Sequence, residues 1–152
     1  MTGPIDGVRV VPLRRIPDDR GATLHMLRAD DPHFERFGEI YFSAIVPGVV
    51  KGWRRHSRLT MNLAVPIGSI RLAMYDDREG SRTRGSIMAI EIGEANYQLV
   101  TVPPGVWNGF KGLGAAPSLV ANCATEPHDP SEVARCDPFA NQIPYDWSAR
   151  YG

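Results

Sequence analysis

The sequence predicts an all-β fold, a β-sandwich or barrel with short helical turns. Short apolar runs lie between turn formers, a pattern typical of strands joined by tight connections. The 15 glycines and 13 prolines are spread through the chain and do not form a linker. No segment shows the sustained 3.6-residue apolar period of a long helix.

The strands can be placed in order from these runs. Residues 8–13 and 22–27 form the first two predicted strands, with a turn at residues 17–21 between them. Residues 28–38 are polar and predict a helical turn, whereas the tail from Glu126 is rich in Pro, Asp and Asn and predicts irregular structure. Further strands are predicted at residues 40–46, 49–56, 62–67, 69–75, 87–92, 98–102 and 118–124.

The composition fits one domain, residues 1–152, and narrows the range of partners. Lys plus Arg and Asp plus Glu both number 17, so no general electrostatic attraction to nucleic acid or to a membrane is expected. No run reaches the ~18 apolar residues of a spanning helix, and residues 1–7 lack the layout of a signal peptide. Cys123 and Cys136 form no CxxC pair, which predicts reduced thiols and a cytoplasmic protein.

The predicted strand at residues 49–56 is unusually polar. Alternation places two sets of side chains on opposite faces: Gly52, Arg54 and His56 on one, and Lys51, Trp53 and Arg55 on the other. Two Arg, a Lys and a His are too polar for ordinary core, so one face must meet solvent, a partner or an anionic ligand. An exposed edge strand with a solvated face is the alternative.

The same region has the outline of a cupin metal site. Such sites use a glycine, His-x-His, an acidic residue and a glycine, followed by a second motif, Pro-x-Gly-x-x-His. The chain keeps the backbone positions as Gly48, Gly68, Pro103 and Gly105. Of the four ligand positions only His56 suits a transition metal, because Arg cannot coordinate and Met is a soft ligand. The sequence therefore resembles a cupin without a metal, which implies a cupin-type jelly-roll β-sandwich or barrel, and we expect no other cofactor.

Five segments then follow one another in register from about Gly7 to Trp147. They are Asp18-x-Arg20-Gly21, Gly48-Val49-Val50-Lys51-Gly52-Trp53, Asp76-Asp77-Arg78-x-x-Ser81-x-Thr83-x-Gly85, Pro103-Pro104-Gly105-Val106-Trp107-Asn108-Gly109-Phe110, and Asp137-Pro138 followed by Ile143-Pro144-Tyr145-Asp146-Trp147. Each resembles a segment of the dTDP-4-dehydrorhamnose 3,5-epimerase family of nucleotide-sugar epimerases, which are metal-free cupins. Each segment alone is weak, but five in the same order make the chain similar to this family over nearly its whole length.

The resemblance implies a substrate and a reaction. The family acts on a 4-keto-6-deoxy sugar carried by a nucleoside diphosphate. A His oriented by an Asp removes the proton at C3 or C5, a Lys stabilises the enolate, and a Tyr returns a proton on the opposite face. The chain departs from this set, because Arg54, Met61 and Ala121 stand at the positions of the His, Lys and Tyr, whereas Asp137 matches the Asp.

Other residues are candidates for the missing roles. His56 shares the predicted face of Arg54 and is a candidate base or acid, although a structural or ligand-binding His fits the same pattern. Arg54 then stabilises an enolate or a carboxylate, Tyr41 is a displaced proton donor, and Glu39 is a base or a substrate contact. Asp137 keeps its role of orienting the base. The remaining histidines are expected outside the cavity wall: His25, His33 and His128.

The resemblance also implies substrate contacts and an assembly. Arg20 matches an Arg that contacts the diphosphate, Lys51 matches another basic residue of that site, and Asn108 replaces a His in the fourth segment. The alternative for Arg20 is a surface ion pair with a neighbouring Asp, worth under ~1 kcal/mol. The family exchanges its first strands across a dimer, which implies a homodimer here.

These observations favour an epimerase that inverts C3, C5 or both without a metal, in deoxysugar or cell-surface polysaccharide biosynthesis. A second hypothesis keeps the sugar nucleotide as the substrate but changes the reaction to tautomerisation or ketoisomerisation. A third is a catalytically inactive cupin that binds a sugar nucleotide or a partner enzyme, and the combined loss of His, Lys and Tyr favours it. A metal-dependent enzyme would need ligands that the sequence lacks.

Overall fold

A computed structural model describes residues 3–148. Within them the elements are β1 (Arg9–Pro12), β2 (Arg15–Asp18), β3 (Gly21–Leu24), β4 (Glu39–Ile45), β5 (Val50–His56), β6 (Met61–Ile67), β7 (Ser69–Asp76), β8 (Ile87–Gly93), β9 (Gln98–Val102), β10 (Val106–Gly112), β11 (Ser118–Ala124), a 3₁₀ turn (Pro130–Glu132) and β12 (Val133–Arg135). None of the helical structure in these residues has the length and apolar character that crossing a membrane requires.

Two five-stranded antiparallel sheets and a hairpin make up the architecture. Sheet one has the order β1-β9-β6-β11-β4, sheet two has the order β12-β5-β10-β7-β8, and β2 pairs with β3. The inward side chains of both sheets form a continuous apolar core, contributed by Leu63 and Val65 of β6, Leu72 of β7, Val100 of β9 and Phe110 of β10 among others. The alternating pattern of half-buried antiparallel strands therefore predicts the fold class correctly.

Nine of the predicted strands are present, with ends shifted by a few residues. The structure adds three strands. β2 includes Pro17, β10 follows the turn at Pro104, and β12 lies in the polar tail. Residues 28–38 contain turns and no helix. The helical turn lies instead at Pro130–Glu132, where Asp129 caps it by accepting a hydrogen bond from the Ser131 backbone N–H.

The register of β5 changes the faces predicted for its side chains. Asn108 of β10 lies opposite Arg54, but Phe110 lies opposite Lys51, so β5 has one more residue than β10 in this interval. Such a bulge reverses the alternation. Lys51 therefore shares the face of Arg54, and the prediction that these two side chains point to opposite faces is wrong.

Trp53 points to the outer face of sheet two, where the C-terminal segment covers it. Its ring lies 6.0 Å from that of Tyr145 and 5.1 Å from that of Trp147, measured between centroids. All three belong to a second apolar cluster outside the main core. The last described residues thus protect the sheet that supports β5.

The turn after β7 is organised around one buried carboxylate. Asp76 accepts hydrogen bonds from the backbone N–H and the guanidinium of Arg78, and from the hydroxyls of Ser81 and Thr83, each 2.6 Å away. Burial opposes ionisation, but these hydrogen bonds hold the pKa of Asp76 well below its usual value. The Asp-x-Arg-x-x-Ser-x-Thr spacing of the sequence is therefore a structural motif.

We expect Asp76→Asn to lower the free energy of unfolding at pH 7 by about 2–4 kcal/mol, because charge-assisted hydrogen bonds are lost in a buried site. Because the folded-state pKa is depressed, the wild-type contribution is present above the unfolded-state pKa of about 4 and is lost as the pH falls below it. Urea unfolding between pH 7 and pH 3 measures both effects. Asp77→Asn is the matched control, since this exposed neighbour forms an ion pair with the exposed Arg84, and an equal loss in both variants would contradict the prediction.

Candidate active site

A cavity of about 280 Å³ lies between β4 on one side and β5 with β12 on the other. Its wall is formed by Glu39, Tyr41, Arg54, His56, His128, Val133 and Arg135. A second cavity of about 320 Å³ shares Arg54 and Arg135 with the first and includes Lys51. Four of the predicted site residues are thus brought together in the first cavity: Glu39, Tyr41, Arg54 and His56.

The facing strands explain why these side chains meet. Along β4, exposed side chains alternate with half-buried ones, and Glu39, Tyr41 and Ser43 occupy the half-buried positions. The Lys51 ammonium donates a hydrogen bond of 2.9 Å to the Ser43 hydroxyl, which joins β5 to β4. The polar faces of two strands from different sheets therefore line one cleft.

His56 is paired with a carboxylate that the sequence analysis did not identify. The imidazole Nδ1 donates to Glu132 Oε1, and the second oxygen of Glu132 accepts the backbone N–H groups of residues 57–59 at 3.1–3.2 Å. The two residues are only 6 % and 4 % exposed. Burial opposes the charge, but the hydrogen bonds from His56 and from the backbone hold the pKa of Glu132 below its usual value.

The imidazole itself is held in its neutral form. Burial lowers the pKa of His56, the hydrogen bond and charge of Glu132 act in the opposite direction, and the nearby cations Arg54 and Arg135 lower it further. With Nδ1–H donated to the carboxylate, the lone pair is on Nε2. That nitrogen is buried and has no hydrogen-bond partner within residues 3–148. A neutral imidazole with a free lone pair is a Brønsted base.

Tyr41 is held in place by Asn122 of β11, the strand that pairs with β4 in sheet one. The Asn122 side-chain amide donates a 2.9 Å hydrogen bond to the Tyr41 hydroxyl, and Asn122 also accepts the backbone N–H of Asn62. Asn62 in turn accepts the hydroxyl of Thr101. Because Asn122 occupies an acceptor position of the phenol, the Tyr41 proton is free to be donated elsewhere.

Two predicted residues lie away from this cavity. Asp137 is exposed, and its carboxylate accepts the backbone N–H groups of Phe139 and Ala140 in a turn. Glu132 instead occupies the position at the imidazole that was expected for Asp137. Arg20 is at the tip of the β2–β3 hairpin, 86 % exposed and 3.1 Å from Asp18, the surface ion pair considered as its alternative.

Asn108 lies below the cavity surface and not in its wall. It is 1 % exposed, and its amide donates to the backbone carbonyl of Arg54 at 3.3 Å. The structure therefore gives Asn108 a contact with the backbone of β5 in place of the expected contact with a substrate. His128, in the polar tail, was expected to lie outside the cavity wall. The structure shows that it is part of this wall.

Glu132 and Arg135 were not predicted as site residues, although the sequence contains one sign that their segment is ordered. Asp129 and Pro130, with an acidic residue three positions after Asp129, form the pattern of a capped helical start, which would have identified an ordered segment in the tail. That pattern predicts that Glu132 returns to the cap. The structure turns it towards His56, a long-range contact that no local pattern shows.

Glu39, His56 and His128 are the cavity residues of metal-binding type. The Nδ1 atom of His56 is bound to Glu132, and the guanidinium of Arg54 cannot coordinate a cation. Within residues 3–148, no three His, Cys, Asp or Glu side chains are placed to hold a metal ion together.

The sequence model of the dTDP-4-dehydrorhamnose 3,5-epimerase family matches residues 2–151. The chain belongs to this family. A crystal structure of a dTDP sugar isomerase from Desulfovibrio desulfuricans G20 is similar with 45% sequence identity and a TM-score of 0.94, covering 97% of this chain and 95% of that one. The cupin-type fold predicted from the motifs is therefore confirmed.

Two curated relatives also match most of the chain. The "Probable low-salt glycan biosynthesis epimerase Agl13" of Haloferax volcanii is 39% identical over 144 residues, which cover 93% of this chain and 89% of the relative. The "Spore coat polysaccharide biosynthesis protein SpsL" of Bacillus subtilis is 33% identical over 142 residues, covering 93% of this chain and 91% of that protein. The family resemblance read from five short segments is confirmed.

The two neighbours of His56 are expected to shift its pKa in opposite directions. Glu132→Gln removes the charge that favours the imidazolium, so the pKa of His56 falls further. Arg54→Gln removes a cation that disfavours the imidazolium, so the pKa of His56 rises. NMR titration of the His56 ring measures both shifts. Arg55→Gln is the control, because Arg55 lies over the Trp107 ring on the other face of β5, and shifts of the same sign in the first two variants would contradict the assignment.

Proposed function

We propose that the protein is an isomerase that epimerises a nucleoside-diphosphate 4-keto-6-deoxy sugar at C3, C5 or both. The observation that carries this proposal is the buried His56–Glu132 pair in one cavity with Tyr41 and Arg54. The names of the relatives, glycan biosynthesis in one case and spore coat polysaccharide in the other, support a role in deoxysugar or cell-surface polysaccharide biosynthesis. The cytoplasmic location expected from the two free cysteines is part of the same proposal.

Inversion at carbon needs a base and an acid on opposite faces of the sugar ring. His56 is on β5 and Tyr41 is on β4, the two strands that face each other across the cavity. His56, held neutral, removes the proton next to the ketone, and Arg54 offers a positive charge to the oxygen that becomes negative. Tyr41, whose proton is free, returns a proton from the other side. The three roles that the family gives to His, Lys and Tyr are thus reassigned to other positions.

The diphosphate of the substrate is assigned to the basic residues outside this cavity. Lys51 lines the second cavity next to Arg54 and keeps its ammonium at the cleft surface. Arg20 projects from the β2–β3 hairpin into solvent, away from the cavity of its own chain. In a dimer that exchanges its first strands, this hairpin brings Arg20 to the site of the other subunit.

One observation favours a second candidate, a protein that binds a sugar nucleotide without turning it over. The Nε2 atom of His56 is buried, and a permanently charged guanidinium stands where the family has its base. In that case the cavity retains the ligand contacts, and His56 with Glu132 serves only to hold β12 on β5.

Proton exchange distinguishes the two candidates. In deuterated water, NMR should show deuterium entering C3 or C5 of a nucleoside-diphosphate 4-keto-6-deoxy sugar. Because acid–base groups contribute about 10²- to 10⁴-fold, His56→Asn and Tyr41→Phe should slow the exchange by that factor. His25→Asn is the matched control, because His25 follows β3 and is outside the wall of this cavity.

Unchanged exchange in His56→Asn would reject His56 as the base. No exchange by the wild-type protein with any sugar of the panel, while nucleotide binding still raises the melting temperature, would favour the binding protein.

We further propose that two copies associate through the outer face of sheet one. Ile40 and Phe42 of β4 and Ile67 of β6 are exposed there, Phe42 by 60 %. Their register neighbours on β11 are small or apolar, since Phe42 is opposite Ala121 and Ile67 is opposite Leu119. β4 is also an edge strand, and an exposed apolar edge favours association with another chain. A second copy is the partner that the family resemblance implies.

Phe42→Asp should convert this dimer into a monomer, because a carboxylate would have to be buried in an apolar contact. Sedimentation equilibrium measures the mass of each variant. Phe139→Asp, which changes an exposed Phe in the C-terminal tail, should leave the mass at that of the dimer. A wild-type protein that sediments as a monomer, or a Phe42→Asp variant that remains dimeric, would reject this interface.

A further inference from the structure

Two arginines lie directly opposite each other at the cavity. Arg135 of β12 is the register partner of Arg54 of β5, and both residues line both cavities. Neither guanidinium is ion-paired with a carboxylate in the part of the chain that the structure describes. The two carboxylates nearby are engaged otherwise, Glu39 with the backbone N–H of His128, and Glu132 with His56 and residues 57–59.

This arrangement is costly for the free protein. Like charges directly opposite on neighbouring strands destabilise a sheet. Burial lowers the pKa of Arg54, the Tyr41 phenol acts against this, and the charge of Arg135 lowers it further. Arg54 is half-buried and Arg135 is exposed at the mouth of the cavity. An anion bound between the two guanidiniums stabilises both of them.

We propose that Arg54 and Arg135 together receive the enolate oxygen of the reaction, which makes Arg135 a second catalytic cation. This inference rests on the proposed function. In the first step, the C–H bond next to the ketone breaks and its proton goes to Nε2 of His56. The electron pair of that bond forms the C=C bond of the enolate, and the carbonyl π pair moves onto the C4 oxygen between the guanidiniums. Protonation of the carbon by Tyr41 from the other face restores the ketone.

The arginine pair acts on the transition state more than on the ground state. A neutral ketone does little to relieve the repulsion between Arg54 and Arg135, whereas the oxyanion neutralises it as the charge develops. Interactions that strengthen only in the transition state raise kcat. The repulsion between Arg54 and Arg135 in the free protein is therefore relieved as the transition state forms, which lowers the barrier of the chemical step.

The other residues of the first cavity favour an anion at the reacting carbons, although both arginines also line the second cavity. Both arginines share their cavity with His56 and Tyr41, the groups that exchange protons with the sugar. Arg135 therefore adds a second positive charge to that of Arg54 beside the groups that exchange protons.

The test measures deuterium exchange at saturating sugar nucleotide in the wild type, Arg135→Gln and Arg135→Lys. Loss of one oxyanion-stabilising group costs about 10²- to 10³-fold, so Arg135→Gln should lower kcat for exchange by that factor, and Arg135→Lys should recover part of it. The Kd for thymidine diphosphate without sugar should stay unchanged. Urea unfolding should show that Arg135→Gln is no less stable than the wild type, since a repulsion is removed. Arg55→Gln, on the other face of β5, should match the wild type throughout.

The outcomes separate this inference from the proposed function. Equal exchange in wild type and Arg135→Gln rejects the arginine pair and leaves the epimerase proposal intact. Weaker thymidine diphosphate binding with unchanged kcat assigns Arg135 to the phosphates and also rejects the pair. A loss of stability that accounts for the lost activity reduces Arg135 to a structural residue. Absence of exchange in the wild type rejects both proposals.

Discussion

The buried carboxylate of Glu132 holds the candidate active site together. One oxygen receives the imidazole of His56 and the other receives three consecutive backbone N–H groups, at residues 57–59. A charge this deeply buried is tolerated only when all its hydrogen-bonding capacity is used. The same interactions fix the orientation of the imidazole, the path of the chain after β5, and the position of β12 beside it. Arg135 faces Arg54 because Glu132 is anchored three residues earlier.

The extra residue in β5 is the second constraint on the site. It places Lys51 and Arg54 on one face, so that a single strand delivers an ammonium, a guanidinium and, at His56, an imidazole to one cleft. Regular alternation would have turned Lys51 outward, towards the cluster that contains Trp53 and Trp147. The bulge therefore gives β5 an inner face with three basic side chains and an outer face where Trp53 packs and Arg55 lies over the ring of Trp107.

The strands and the fold class were predictable because they depend on local patterns. Alternation identifies β4 and β11 within a residue, and glycine and proline mark their ends. The shared direction of Arg54 and His56 also follows from alternation along β5, but their meeting with Tyr41 depends on the packing of β4 from the other sheet. The partner of His56 does not follow from a local pattern, because Glu132 is 76 residues further along the chain and only the packing of the tail decides between it and Asp137. The burial of Asn108 was not predictable either, since the sequence shows a polar residue but not how deeply the fold buries it.

The strand order has a consequence for how the protein becomes active. Sheet one joins β1 to β9 and β4 to β11, and sheet two joins β5 to β12, so most neighbours in space are distant in sequence. Folds dominated by such long-range pairs fold slowly, because long loops must close before contacts form. The cavity lies between strands of two such pairings, β4 with β11 and β5 with β12. A half-folded chain thus has no site at all, and enzymatic turnover of a newly made molecule reports that its folding is complete.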